Sequence, residues 1–264
     1  MKHIIVISVF ILGLLVPVFA EIQKILLVGA DEIQLEPVDI IRLPGIGLGM
    51  KCIGDSIMVL DHPQLPNIAF IEPTEVRSIV AVRSGVYAAN GDSIFRMPTP
   101  DSNLEFIGRL DNEDFKLYQA TDSTFFACTA DENFSCVYEI FPEDKTCTPG
   151  ISIEAPILTI EGNGKTRVMW VDDTILRLQD DGVVENIYQA DNITCMTVTP
   201  IGIMVGTTEG VFWLTGTDKG AKIIKEAVKG LWWNNPDTLY YLTDVGDLIA
   251  VYGIRESYLS HTQN

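Results

Sequence analysis

The tetrapeptide Gly-Asp-Ser-Ile stands at residues 54–57 and again at 91–94. Looser copies of the same turn follow at Asn133, Asp173, Gly210 and Asp247, so the steps from Asp55 and Asp92 onward are 37, 41, 40, 37 and 37 residues. A pitch near 40 constrains the fold more than any composition does. Each unit is a supersecondary piece that buries its apolar faces only by stacking on its neighbours.

Within a unit the pattern is four short strands. Val76–Val82 reads as an inner strand, 85–89 and 94–97 as a hairpin, and 104–107 as an outer strand. The same order returns at 115–153, 157–188 and 193–225. The turns carry Asn90-Gly91, Asn133, Asp172-Asp173 and Glu209-Gly210, residue types that tolerate positive φ. No long window keeps a 3.6-residue apolar stripe, whereas β-branched and aromatic residues crowd the strands. The expectation is an all-β chain with very little helix, folded as a single six-bladed β-propeller of four-stranded blades. The last unit ends after Gly253 without an outer strand, and Ile25–Val28 or Ile33–Leu35 is free to supply it. An N-terminal strand pairing with the last blade is therefore expected to close the ring.

Residues 1–20 lie outside the repeat. Lys2 and His3 precede an apolar run from Ile4 to Val16, then Pro17-Val18-Phe19-Ala20, the pattern of a cleaved export leader. The run is too short to span a bilayer. The domains expected are thus a signal peptide at 1–20, a propeller domain at 21–254 and a polar tail at 255–264, in an exported, monomeric chain with no membrane insertion after cleavage. Against 36 acidic residues stand 18 Lys and Arg, a net charge of −18, which excludes nucleic acid as a partner.

Segment 239–244, Leu-Tyr-Tyr-Leu-Thr-Asp, followed by Gly246-Asp247-Leu248-Ile249, resembles the YWTD repeat of six-bladed propellers, with Val168–Asp172 as a looser echo. That resemblance implies the six-blade, four-strand plan and no particular activity.

Five cysteines are present: Cys52, Cys128, Cys136, Cys147 and Cys195. A three-residue loop 131–133 with Asn133 left-handed would set Cys128 across from Cys136, within reach of a disulfide, with Cys136–Cys147 as the rival pairing. Cys52 and Cys195 read as small core residues.

The search for catalytic constellations is mostly negative. Only His62 and His261 lie beyond the leader, in a turn and in the tail, which rules out a three-His metal site. Gly45–Gly49 and Gly162–Thr166 lack the context of a nucleotide loop. The paired carboxylates 172–173, 180–181, 244 with 247, and 111 with 113–114 fall in turns, where Asp serves the backbone. No cofactor and no metal are expected, and no catalytic residue is assigned.

Two features suit a binding face. Trp232-Trp233-Asn234 ends an inner strand, where alternation sends one indole into the core and leaves the other available. Arg77, Lys116 and Lys229 take the second position of three inner strands and can ring a channel mouth. The function expected is a non-enzymatic binding or scaffold protein with a protein or glycan partner. The alternative is a propeller hydrolase or lyase, of lactonase or glycan type, with carboxylates and a divalent ion in the tunnel.

Overall fold

In the computed structural model the residues described are 5–10, 21–28, 36–37, 40–43, 47–51, 56–59, 68–69, 78–97, 105–110, 115–130, 133–148, 151–163, 166–179, 183–214, 220–234 and 237–254. All elements among them are strands. In chain order they are β1 (Ile5–Phe10), β2 (Glu21–Val28), β3 (Ile40–Leu43), β4 (Gly47–Lys51), β5 (Ser56–Val59), β6 (Ile68–Ala69), β7 (Ser78–Val82), β8 (Gly85–Asn90), β9 (Ser93–Met97) and β10 (Glu105–Arg109). There follow β11 (Phe115–Gln119), β12 (Phe125–Ala130), β13 (Ser135–Phe141), β14 (Thr146–Cys147), β15 (Ile151–Ile153), β16 (Ile157–Asn163), β17 (Thr166–Val171), β18 (Thr174–Leu178) and β19 (Val184–Gln189). The last are β20 (Ile193–Thr199), β21 (Gly202–Thr207), β22 (Gly210–Leu214), β23 (Ala221–Ile224), β24 (Val228–Asn234), β25 (Thr238–Thr243) and β26 (Leu248–Tyr252).

Two compact units divide the chain. One comprises residues 51–58 and 67–191, the other 1–50, 59–66 and 192–264. The first unit holds three whole antiparallel sheets: β7–β10, β11–β15 and β16–β19. The second holds two, β20–β23 and the order β1-β2-β26-β25-β24.

The expectation of six equivalent blades is corrected here. Five blades fall whole within a unit, whereas β3–β6, strands of two to five residues, are divided between the two. Nor are all five four-stranded. β2 pairs with β26 and carries β1 on its other edge, and the outer strand of the β11 sheet is split into β14 and β15. Each sheet is a separate hydrogen-bonded system, so hydrogen bonds do not join blade to blade into a closed ring. Of the segment 1–20 only residues 5–10 are described, as β1 paired with β2. The tail 255–264 lies outside the described residues.

Two apolar layers explain the unit with three blades. Val80, Val82, Tyr87 and Ala89 of the first sheet pack against Phe115, Leu117 and Phe125 of the second, with the Tyr87 and Phe125 rings 5.0 Å apart. On its other face the second sheet sends Phe126, Cys128 and Val137 against Ile160, Met169 and Val171 of the third. A middle strand buried on both faces reads as an unbroken apolar run, which is why Phe125-Phe126-Ala127-Cys128 shows no alternation. Each fully buried Phe contributes about 2–3 kcal/mol of transfer free energy.

Between sheets, hydroxyls replace the missing ladder bonds. The Leu117 N–H donates to Ser78 Oγ at 2.9 Å, across 39 residues of sequence. The Tyr118 hydroxyl donates to the Leu158 carbonyl at 3.2 Å, 40 residues away. In the other unit, Thr194 Oγ1 donates to the Val228 carbonyl at 2.6 Å. Inner strands have a free edge whose backbone groups need partners, and at these three steps a hydroxyl supplies one.

The disulfide expectation fails on register. Ala130 pairs with Ser135, Thr129 with Cys136 and Cys128 with Val137, so the loop is 131–134, one residue longer than expected. Asn133 is not among the positive-φ residues. A one-residue slip exchanges the faces of a strand, so Cys128 and Cys136 point to opposite sides of the sheet. The rival pairing fails on distance. Cys147 lies across from Ile140, four residues along the strand from Cys136, or roughly 13 Å. None of Cys128, Cys136, Cys147 and Cys195 is in a disulfide. Cys52 lies outside the described residues.

Candidate functional site

A charge appears where the strand parity of β13 demands a core residue. Val137 packs in the layer between the second and third sheets, and Glu139, two residues on, faces the same way and is buried. Arg167 stands at the same parity on β17, two residues before the buried Met169. Their side chains meet: Arg167 Nη2 donates to Glu139 Oε2 at 2.8 Å. The side chains are 24% and 10% exposed, against 65% and 32% for Arg109–Asp92 and 62% and 38% for Lys145–Glu105. Those surface pairs contribute little. The inner pair has given up much of its hydration and depends on its partners.

The sequence Thr121-Asp122-Ser123-Thr124 builds the rest of the site. Thr121 Oγ1 accepts the backbone N–H of Ser123 at 3.1 Å and of Thr124 at 3.0 Å, a tight hydroxyl turn at the entry to β12. That turn places Thr124 Oγ1 to donate to Glu139 Oε1 at 3.3 Å. Below it, the Glu139 N–H donates to Thr148 Oγ1 at 3.1 Å. Both carboxylate oxygens thus have a donor and a fixed orientation. Arg167 Nε is buried and meets no acceptor. The group sets a carboxylate beside a guanidinium that has one donor unfilled.

The residues singled out from sequence are dispersed. Arg77 lies outside the described residues, as do His62 and His261. Lys116 is exposed at the second position of β11, across from Cys128. Lys229 takes the second position of β24, in the other unit, with Nζ 3.1 Å from Glu36 Oε1. Trp233 is packed among Met204, Leu231 and Tyr241. Trp232 is half-buried, and Asn234 is buried with no partner on Oδ1. Glu139 and Arg167 were missed, although the signal was there: a charge at core parity in Ser135–Phe141 and in Thr166–Val171.

The other ionisable groups are built for structure. Burial, aided by the neighbouring Cys136, pushes the Cys128 thiol up to about 12, against a weaker downward pull from Lys116, so it stays protonated. The Tyr118 and Tyr241 phenols are also raised, first by burial and then by Cys128 and Glu226 respectively. Among the described residues no group of three His, Cys, Asp or Glu side chains is placed to hold a metal ion.

Asp92 of the second Gly-Asp-Ser-Ile is a turn device. Its carbonyl accepts the Leu110 N–H at 2.9 Å, its carboxylate accepts the Ser93 hydroxyl at 2.8 Å, and Arg109 of the outer strand pairs with it at 2.8 Å. Asp173 repeats every part. It takes the Ala190 N–H at 2.9 Å, the Thr174 hydroxyl at 2.8 Å and Gln189 Nε2 at 2.8 Å. The Gln189 and Thr174 hydrogen bonds hold its carboxyl below the usual value. In these two blades the motif ties the hairpin to its own outer strand.

No protein-family model and no curated protein matches the sequence. Solved structures do match in fold. A catalytically inactive histidine-to-alanine variant of virginiamycin B lyase from Staphylococcus aureus, with quinupristin, superposes with a TM-score of 0.58 at 12% identity over 88% of both chains. A luciferin-regenerating enzyme gives 0.57 at 12% identity, over 84% of this chain and 94% of that one. The extracellular domain of a proposed one-component system of B. thetaiotaomicron gives 0.56 at 13% identity, over 94% of this chain but only 38% of that one. The fold is a β-propeller. The resemblance to YWTD repeats is corrected, since among the described residues five blades fall whole within a unit and the segment 239–243 belongs to the wholly buried middle strand β25. The preference for a non-enzymatic scaffold is corrected too. A fold shared with two enzymes over nearly the whole of three chains removes the argument that an empty motif search favours binding alone.

Proposed function

We propose that the chain is an enzyme of hydrolase or lyase type, of lactonase or glycan class, with Glu139 as its proton acceptor. What carries the reading is the whole-length likeness to two free-standing propeller enzymes. In both reaction types a base removes a proton while negative charge builds on a carbonyl oxygen. In hydrolysis the proton comes from the attacking water; in elimination it comes from the carbon beside the carbonyl. Glu139, held by Arg167 and Thr124, is oriented for the first task. The second role falls to Arg167, whose Nε has no acceptor of its own, and that supports the reading.

The purified full chain, assayed against a panel of lactones, esters and uronate-type glycans, is expected to turn over at least one class. E139Q keeps the shape and a hydrogen-bonding group but loses the base, and is expected to cut turnover about a thousandfold; because it also leaves the Arg167 charge unanswered, turnover is compared at a temperature where circular dichroism shows the variant folded. A folded E139Q with wild-type turnover, or wild-type protein inert on the whole panel, overturns the reading.

A further inference from the structure

β24 carries a second group of side chains that the catalytic reading does not use. Beyond the bulge between Val228 and Gly230 the strand alternates regularly, so Gly230, Trp232 and Asn234 share one face, while Leu231 and Trp233 enter the apolar layer on the other. A Cβ at Gly230 would lie 2.3–3.0 Å from three carbons of the Trp232 ring. Glycine at 230 leaves the room that the edge of the indole occupies, and Trp232 is half-buried. Two residues on, Asn234 is 7% exposed and its Oδ1 has no donor. A buried acceptor without a donor is costly, and a ligand that brings one recovers that cost.

We propose that Trp232 and Asn234 form a subsite for a small organic cation bearing N–H donors, a primary or secondary ammonium. Three observations converge on that chemistry. Asn234 Oδ1 needs a donor. The face of an indole attracts a cation. The chain's net charge of −18 concentrates cations around it. Lys229, the neighbouring positive charge, is answered by Glu36 at 3.1 Å. A neutral hydroxyl compound would fill Oδ1 without gaining from charge, and a quaternary ammonium would meet the indole with nothing to donate.

The full chain is titrated by calorimetry at low salt with cyclohexylammonium, tetramethylammonium and cyclohexanol. Cyclohexylammonium is expected to bind best and to weaken as salt is raised. W232A is expected to lose about tenfold in affinity. N234L, which fills the same space without an acceptor, is expected to lose severalfold, and W232F, which keeps a ring, to fall between W232A and wild type. Cyclohexanol binding as tightly as cyclohexylammonium overturns the proposal, as does unchanged affinity in both W232A and N234L, or no heat with any probe. None of these outcomes touches the turnover test of Glu139.

Discussion

The hairpins β8–β9 and β12–β13 sit in neighbouring sheets and announce themselves with similar turn residues, yet their pairing is set in different ways. In the first, Asn90 pairs with Ser93 around Gly91-Asp92, and Gly91 takes φ +57°. Two residues leave one register open. In the second, four residues separate Ala130 from Ser135. A longer loop permits several registers, and the choice passes to what each face must bury: Phe126, Cys128 and Val137 against the third sheet, Phe125, Ala127 and Ile140 against the first. The tight hairpin is fixed locally, by its turn and by Asp92. The loose one is fixed by packing and by a charge pair reaching into the next sheet.

Removing one partner of each hairpin's ion pair breaks the comparison most directly. E139A strands Arg167 in a partly dehydrated site and is expected to cost about 3 kcal/mol in guanidinium denaturation. D92A removes a pair with an exposed Arg109 and is expected to cost about 1 kcal/mol or less. Equal costs would mean that the inner pair does not hold the loose hairpin to its neighbour.

Register can be tested by chemistry. Cys128 faces Val137, so V137C is expected to form a disulfide with Cys128 on oxidation and to add about 2 kcal/mol of stability. The wild-type chain is expected to remain free of a Cys128–Cys136 bond when its thiols are mapped by mass spectrometry. Finding that bond would restore the shorter loop.

A smaller effect distinguishes the turns. G91A meets no neighbour within 4 Å but is asked to adopt φ +57°, and is expected to cost about 1 kcal/mol. N133A, at a position without positive φ, is expected to change stability by less than about 0.5 kcal/mol.

The smallest effects lie in the pH profile. The Asp173 carboxyl is held below its ordinary value, so the unfolded chain protonates first. The associated stability is present above about pH 3.8 and is lost as pH falls further. D173N should flatten that acid limb slightly, since Asp173 is only partly buried. Cys128 acts oppositely. Its raised value means that stability is intact below about pH 9 and falls as pH rises toward about 12, and C128A should flatten that alkaline limb.

Much of the architecture could be read from spacing. The strands, their antiparallel hairpins and the turn function of Asp92 and Asp173 follow from period and residue type. The repeat even carried more than its tetrapeptide suggested. The hydroxyl after the Asp is kept, as Ser93 in one blade and Thr174 in another, because the carboxylate needs a local donor. Blade number was less legible. The turn at Asp55 scans like the others, but a turn signal does not say whether the strands around it join one compact unit, and β3–β6 do not. The site was hardest. Glu139 and Arg167 are 28 residues apart and belong to different repeats, so no motif links them. The indoles were separable by parity alone, with one inward, but that Trp233 is the buried one depends on the bulge ahead of Gly230.

Sequence alone determined an all-β chain of repeated antiparallel hairpins, the residue types at the turns, an acidic surface and the want of a known catalytic motif. Those properties are local or additive, set by φ preferences, alternation and charge count. Tertiary structure decided how many blades are whole, which register the cysteine hairpin takes, and that a glutamate and an arginine from neighbouring blades share one enclosed site. Those depend on which faces meet, and a free-energy choice between faces is made by packing across tens of residues of chain.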